Sequence, residues 1–207
     1  MSVSVAAFHE EQELDELDVD FDNTPDGTLL NTERDRTGVR ATFGTNFIGG
    51  FVNVFKEEFR APGLLLTDFD TFGVGGGVVG APQIGGSERL KVVVPFRYEI
   101  ALAAGIEEVS GFDLEWIYYQ SSLEGGIGIQ FAGLQPSVGV AANSVFGLFE
   151  SDNPASPANV DPAMVDGLNF GGFAEVLYQP KNAPVVGRIR AMFGEVSGVL
   201  VSFGFRF

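Results

Sequence analysis

Four aspartates, Asp18, Asp20, Asp22 and Asp26 in the stretch DVDFDNTPDG, are the best candidates for metal chemistry in the sequence. Closely spaced carboxylates supply the oxygen ligands that a hard cation such as calcium takes. The match to an EF-hand loop fails where its geometry is set: Asn23 stands where the sharp turn needs glycine, and Leu29 where a bidentate glutamate closes the shell. An acidic, solvated segment is the plainer reading. Calcium is the one cofactor for which ligands are on offer, and no other is expected. Gly75, Gly77 and Gly80 fit G-x-G-x-x-G, but Ala81-Pro82 follows at once and no helical pattern opens there, so the phosphate-cradling context is missing. The only imidazole is His9, inside the acidic stretch. Asp113 and Glu115 share a strand face, as paired general acids and bases do, but Arg and Lys elsewhere offer salt bridges as a simpler use for them. No enzyme activity is expected, and no residue is assigned a catalytic role.

Charge is unevenly distributed. Residues 1–36 hold eleven acids against Arg34 and Arg36, a net of -9, which leaves -7 of the total -16 for the other 171 positions. Such density predicts a flexible acidic N-terminal segment over 1–36 and a folded domain over 37–207. An acidic chain without a basic stripe is a poor match for nucleic acid, whose affinity comes from Lys and Arg on phosphates. With no cysteine there are no disulfides, thiolate metal sites or thiol nucleophiles. No apolar run reaches eighteen residues, so helical membrane spans are excluded, although strands that cross by alternation escape that test.

From residue 37 onward the chain reads as segments alternating at the two-residue period of a strand and separated by turn residues. Ten such segments are expected, at 38–47, 51–59, 69–80, 91–102, 112–119, 127–132, 138–148, 168–178, 185–193 and 197–207, although eight strands with longer loops also fit. Gly49-Gly50 and Leu123-Glu124-Gly125-Gly126 read as turns, Pro95 must occupy a bulge or an unpaired position, and the longest connection is 151–167. Bulky Phe, Val, Ile and Trp gather on one face of these segments and Gly, Ala, Ser, Thr and charges on the other. A closed barrel of eight to ten strands has an interior just wide enough for side chains. Small and charged residues therefore belong inside and the bulk outside. On that orientation Arg40, Lys91, Arg97, Glu99, Asp113, Glu115, Glu175, Arg188, Arg190 and Arg206 are expected to face the lumen and to pair there, because unpaired buried charge is costly. Trp116, Tyr98, Tyr118 and Tyr178 are candidates for interfacial aromatic girdles. The facing of 51–59 stays open.

The final segment, SGVLVSFGFRF, places Val199, Val201, Phe203, Phe205 and Phe207 on one face. It resembles the closing strand of bacterial outer-membrane β-barrels, whose pattern is a terminal Phe with apolar residues at every second position before it. The resemblance implies an all-β fold, a closed antiparallel transmembrane barrel of eight to ten strands, and recognition of those five residues by the barrel-assembly machinery. It also implies contact with outer-membrane lipid and a signal peptide removed ahead of residue 1. The role expected is structural, anchoring or partner-docking through the 151–167 loop or the acidic tail, with a filled lumen. A narrow pore for small solutes is the alternative within that fold. Outside it, the alternative is a soluble β-sandwich in a self-assembling particle.

Overall fold

A computed structural model describes residues 2–20, 28–45, 47–60, 69–109, 112–152, 163–180 and 182–207. Its elements are all strands: β1 (Ser2–Asp20), β2 (Thr28–Gly44), β3 (Ile48–Arg60), β4 (Phe69–Gly80), β5 (Gln83–Gly86), β6 (Lys91–Val93), β7 (Phe96–Val109), β8 (Phe112–Gln130), β9 (Leu134–Ser151), β10 (Ala163–Tyr178), β11 (Val185–Gly194) and β12 (Val196–Arg206). Antiparallel pairing runs β8-β7-β4-β3-β2-β1-β12-β11-β10-β9, and β9 pairs with β8 again, closing a ring of ten. A closed ring has no edge and is not a sandwich. Each of the ten ring strands is paired on both sides within the chain, as hydrocarbon demands of a spanning sheet.

β5 and β6 prolong β4 and β7 into a longer hairpin beyond Ala81-Pro82 and Val94-Pro95. Pro95 therefore sits at an interruption of the ladder, where its missing N–H costs nothing, and its carbonyl accepts from Gly126 N–H at 3.0 Å. The β8–β9 hairpin turns on Ala132 and Gly133, both at positive φ (48° and 86°), as a two-residue turn that follows strand twist requires.

Ten strands agree with the sequence expectation, but the two sets of ten differ. Within the span 1–36, Ser4–Leu14 pairs with β12 on one side and Ser2–Leu14 with β2 on the other, while residues 21–27 lie outside the described residues. Conversely, β8 runs unbroken through Leu123-Glu124-Gly125-Gly126, the expected turn. Of the two glycines there, Gly126 sits where the sheet is crowded. A Cβ on Gly126 would lie 2.4 Å from the Val138 carbonyl oxygen. One strand overlooked and one split in two leave the total unchanged. Gly49-Gly50 is likewise inside β3, and the chain reverses at residues 44–48, where Thr45 N–H donates to Ile48 O at 2.9 Å. The long connection is shorter than 151–167, since β9 continues to Ser151 and β10 begins at Ala163. Residues 153–162 lie outside the described residues.

The outward rows carry the membrane argument. On β1 the row reads Val3, Val5, Ala7, His9, Glu11, Glu13, and on β2, from the neighbouring end, Phe43, Ala41, Val39, Thr37, Asp35, Glu33. On β7 it reads Tyr98, Ile100, Leu102, Ala104, Ile106, Glu108. Each row is apolar toward the end that carries both termini and becomes acidic at the opposite end. The β7 run from Tyr98 to Ile106 covers roughly 27 Å of strand at about 3.4 Å per residue, or about 20 Å once tilted by ~40°. That is on the order of the ~25 Å band of a transmembrane barrel. Phe203 and Phe205 are 59% and 50% exposed, and Val74 57%, so this bulk faces outward as expected.

Inside, large rings stand opposite glycines. Phe55 faces Gly73 and Phe51 faces Gly77 across β3–β4, Phe173 faces Gly139 across β9–β10, and Tyr118 faces Gly147 across β8–β9. A Cβ on Gly73 or Gly139 would fall 2.2 Å or 2.6 Å from the ring carbon it meets. Part of the high glycine content, 28 residues, thus makes room for rings inside the barrel.

Candidate functional site

The lumen is filled in layers. At the end away from the termini, Phe59 and Trp116 stack with centroids 5.3 Å apart, and Trp116 meets Tyr118 at 5.8 Å. Leu14, Val145 and Val196 are buried beside them. The next layer is polar. Arg36 pairs with Glu57 and donates to the Tyr118 hydroxyl and to Gln120 Oε1, both at 2.8 Å, while Tyr118 donates to the other Glu57 oxygen at 2.5 Å. Arg34 bonds Gln12 and reaches Gln120 Oε1 at 2.7 Å. β3 and β8 are separated in the ring by β4 and β7, so these bonds cross the interior rather than follow the sheet.

A third layer forms around three carboxylates, Glu99 on one side and Glu124 with Glu175 on the other. Glu99 holds Arg97, accepts from Asn53 Nδ2 at 2.7 Å and stands 3.5 Å from Arg40. Opposite, Arg190 reaches Glu124 at 2.5 Å and Glu175 at 2.8 Å, and Arg188 lies 3.3 Å from Glu175. Four guanidinium groups of these layers also lie over rings: Arg36 over Phe55 at 4.4 Å, Arg40 over Phe8 and Phe51 at 5.0 and 4.8 Å, Arg97 over Phe51 at 5.2 Å, and Arg190 over Phe173 at 4.3 Å.

Beyond that layer the lumen widens into a cavity of about 860 Å³ at the terminus-bearing end. Its wall takes in the turns that follow β2, β8 and β10, and the hairpin tip at Glu88 and Arg89. Arg206 closes one side, its guanidinium donating to the Pro180 carbonyl at 2.7 Å.

Of the residues expected in the lumen, Arg40, Arg97, Glu99, Glu175, Arg188 and Arg190 belong to the paired layers, and Lys91 and Arg206 line the cavity. Asp113 and Glu115 do not face inward. They are exposed on the outer wall of β8, and Trp116 and Tyr118 take the inside instead, against the girdle expectation. Bulk was a poor guide there, because Gly147 leaves room for Tyr118 and the Tyr118 hydroxyl has Glu57 and Arg36 to bond. Tyr98 and Tyr178 do face outward.

Sequence reasoning missed Arg34, Arg36, Glu57 and Glu124. The first two had a signal, since Arg34, Arg36, Gly38 and Arg40 continue one strand face at period two. Glu57 lay in the segment whose facing was open, and Glu124 in a supposed turn. For the calcium candidate, Asp18 and Asp20 belong to the paired strand β1 rather than to a coordinating loop, and Asp22 and Asp26 lie outside the described residues. His9 stands on the outer wall of β1, its Nδ1 3.2 Å from Asp35 and its Nε2 3.3 Å from Glu11. All three side chains are close to half-open to solvent or more. Val199, Val201, Phe203 and Phe205 form the outward row of β12, followed by Phe207, which exchanges backbone bonds with Val3 at 2.7 and 3.3 Å.

A closed ring of ten antiparallel strands, apolar outside and ion-paired within, defines a transmembrane β-barrel of the outer-membrane kind. No protein-family model matches the chain, and no curated protein does. Among solved structures it is similar to an outer membrane channel from Pseudomonas putida F1, at 8% identity and a TM-score of 0.41, over 100% of this chain and 96% of that one. It is also similar to the transport unit of the autotransporter AIDA-I from Escherichia coli, at 12% identity and a TM-score of 0.40, over 100% of this chain and 89% of that one. The barrel assignment rests on the strand pairing of the chain itself.

Proposed function

We propose that the chain is a bacterial outer-membrane barrel that does not conduct, and that it works as an anchored scaffold whose partners meet it at its ends. The observation that supports this is the Arg36–Glu57–Tyr118 layer, buried beneath the Phe59–Trp116 stack, which fills the lumen with side chains that hold one another. Outer-membrane lipid would cover the apolar rows, and the assembly machinery would read the β12 row ending at Phe207. Planar-bilayer recordings of the purified barrel test the reading, with no discrete openings expected. Stepwise openings would establish the second reading, a narrow pore for small solutes, which the cavity at the terminus-bearing end favours.

A further inference from the structure

We propose that the cavity at the terminus-bearing end is a binding site for a small multivalent oxyanion, a compound bearing several phosphate or carboxylate groups. The chain as a whole is acidic, yet seven of the side chains lining this cavity are Arg or Lys and only three are Glu. Two of those three are already engaged, Glu124 by Arg190 and Glu175 by Arg190 and Arg188. Arg89 and Lys91, at the mouth, join none of the ion pairs formed among the described residues.

Deeper in, the cationic groups are incompletely satisfied. Arg40 reaches Glu99 only at 3.5 Å, and the Nε atoms of Arg40 and Arg97 are buried without a hydrogen-bond partner among the described residues. Buried donors of that kind are costly unless something accepts from them. Guanidinium forks match carboxylate and phosphate oxygens two at a time, which favours an oxyanion over a halide. About 860 Å³ admits a ligand as large as a typical organic metabolite. The rings of Phe8 and Phe51, with centroids 5.0 and 4.8 Å from the Arg40 guanidinium, help to hold that cation in place. Low dielectric around those rings strengthens its attraction for an incoming anion.

The proposal does not depend on whether the lumen conducts, because its readout is binding. The full chain, folded in zwitterionic detergent, would be titrated calorimetrically with sodium pyrophosphate and separately with sodium citrate, at matched ionic strength. One saturable site per barrel is expected for at least one of the two, with a dissociation constant below about 1 mM. Pyrophosphate alone, citrate alone or both would each support the site and tell phosphate from carboxylate chemistry. The rim variant Arg89→Glu/Lys91→Glu touches no buried pair, and should weaken binding at least tenfold while keeping the slow, heat-sensitive gel migration of a folded barrel. An Arg40→Gln variant should weaken it similarly if it folds. The proposal is overturned if neither anion saturates the parent, or if the rim variant binds as tightly as the parent.

Discussion

Tyr118 on β8 donates its hydroxyl proton to Glu57 on β3 across the barrel interior at 2.5 Å, and Glu57 is fully buried. The other oxygen of the carboxylate takes Arg36, so a single acidic group ties together three strands that are not all neighbours in the ring. A buried ion pair adds little beyond an apolar replacement, but removing one partner strands the other charge. Glu57→Gln should therefore cost about 3–5 kcal/mol of unfolding free energy, and Tyr118→Phe about 1–3 kcal/mol for the donor lost. Trp116 is the only tryptophan and packs on this layer, so its fluorescence during denaturant titration in micelles reports both changes. A Glu57→Gln barrel as stable as the parent would show that the layer does not hold the interior.

The glycine and ring pairs couple residues that sequence alone treats as independent. Gly139→Val would push a side chain against the Gly125 carbonyl oxygen, 2.3 Å from the added Cβ, and into the Phe173 ring at 2.6 Å, and overpacking of this kind costs about 1–3 kcal/mol. Replacing the ring as well, in Gly139→Val/Phe173→Val, should return part of that loss, a non-additivity of at least 0.5 kcal/mol in the range seen for contacting residues. Additive effects within error would mean that Phe173 does not depend on the space Gly139 leaves.

What the sequence could reveal depended on which physical signal dominated locally. Alternation was decisive on β7, β9, β11 and β12, where most of the bulky apolar residues fall on the outward row. It failed on β1, because acidity was weighed as a sign of solvation. On the outward row of that strand, Glu11 and Glu13 appear only where the strand leaves the apolar band, and Glu10 faces the lumen. It failed again at Trp116 and Tyr118, since bulk alone points a residue toward lipid, and the cross-strand Gly147 that admits one of them inward is invisible without the register. The ion-paired lumen was anticipated as a kind of interior. Its strongest members, Glu57 and Arg36, were not, because choosing between the faces of β3 requires knowing that Gly73 and Gly77 lie opposite Phe55 and Phe51.

The change from apolar to acidic along each outward row fixes where hydrocarbon ends. Val74→Arg puts a cation in the apolar band and should destabilise the barrel in lipid vesicles by about 2–4 kcal/mol. Glu13→Arg lies on the acidic end of the β1 row and should shift stability by no more than about 0.5 kcal/mol. Equal costs at the two positions, measured by guanidinium titration, would remove the evidence for the band.

If the closed lumen is the reason the barrel does not conduct, removing the closing layers should open it. Phe59→Ala/Trp116→Ala takes away the stacked cap, and adding Arg36→Ala removes the cation that links Glu57, Tyr118 and Gln120 beneath it. Each truncation alone leaves the other layer in place, so the double and single variants should stay silent in planar bilayers. The triple variant, checked for folding by its heat-sensitive gel migration, should show discrete openings. Its current should favour anions, because permeating ions must pass the Arg-rich cavity at the terminus-bearing end, whose positive field concentrates them. A folded triple variant that remains silent would locate the barrier elsewhere, and one that conducts cations preferentially would contradict the charge assigned to that cavity.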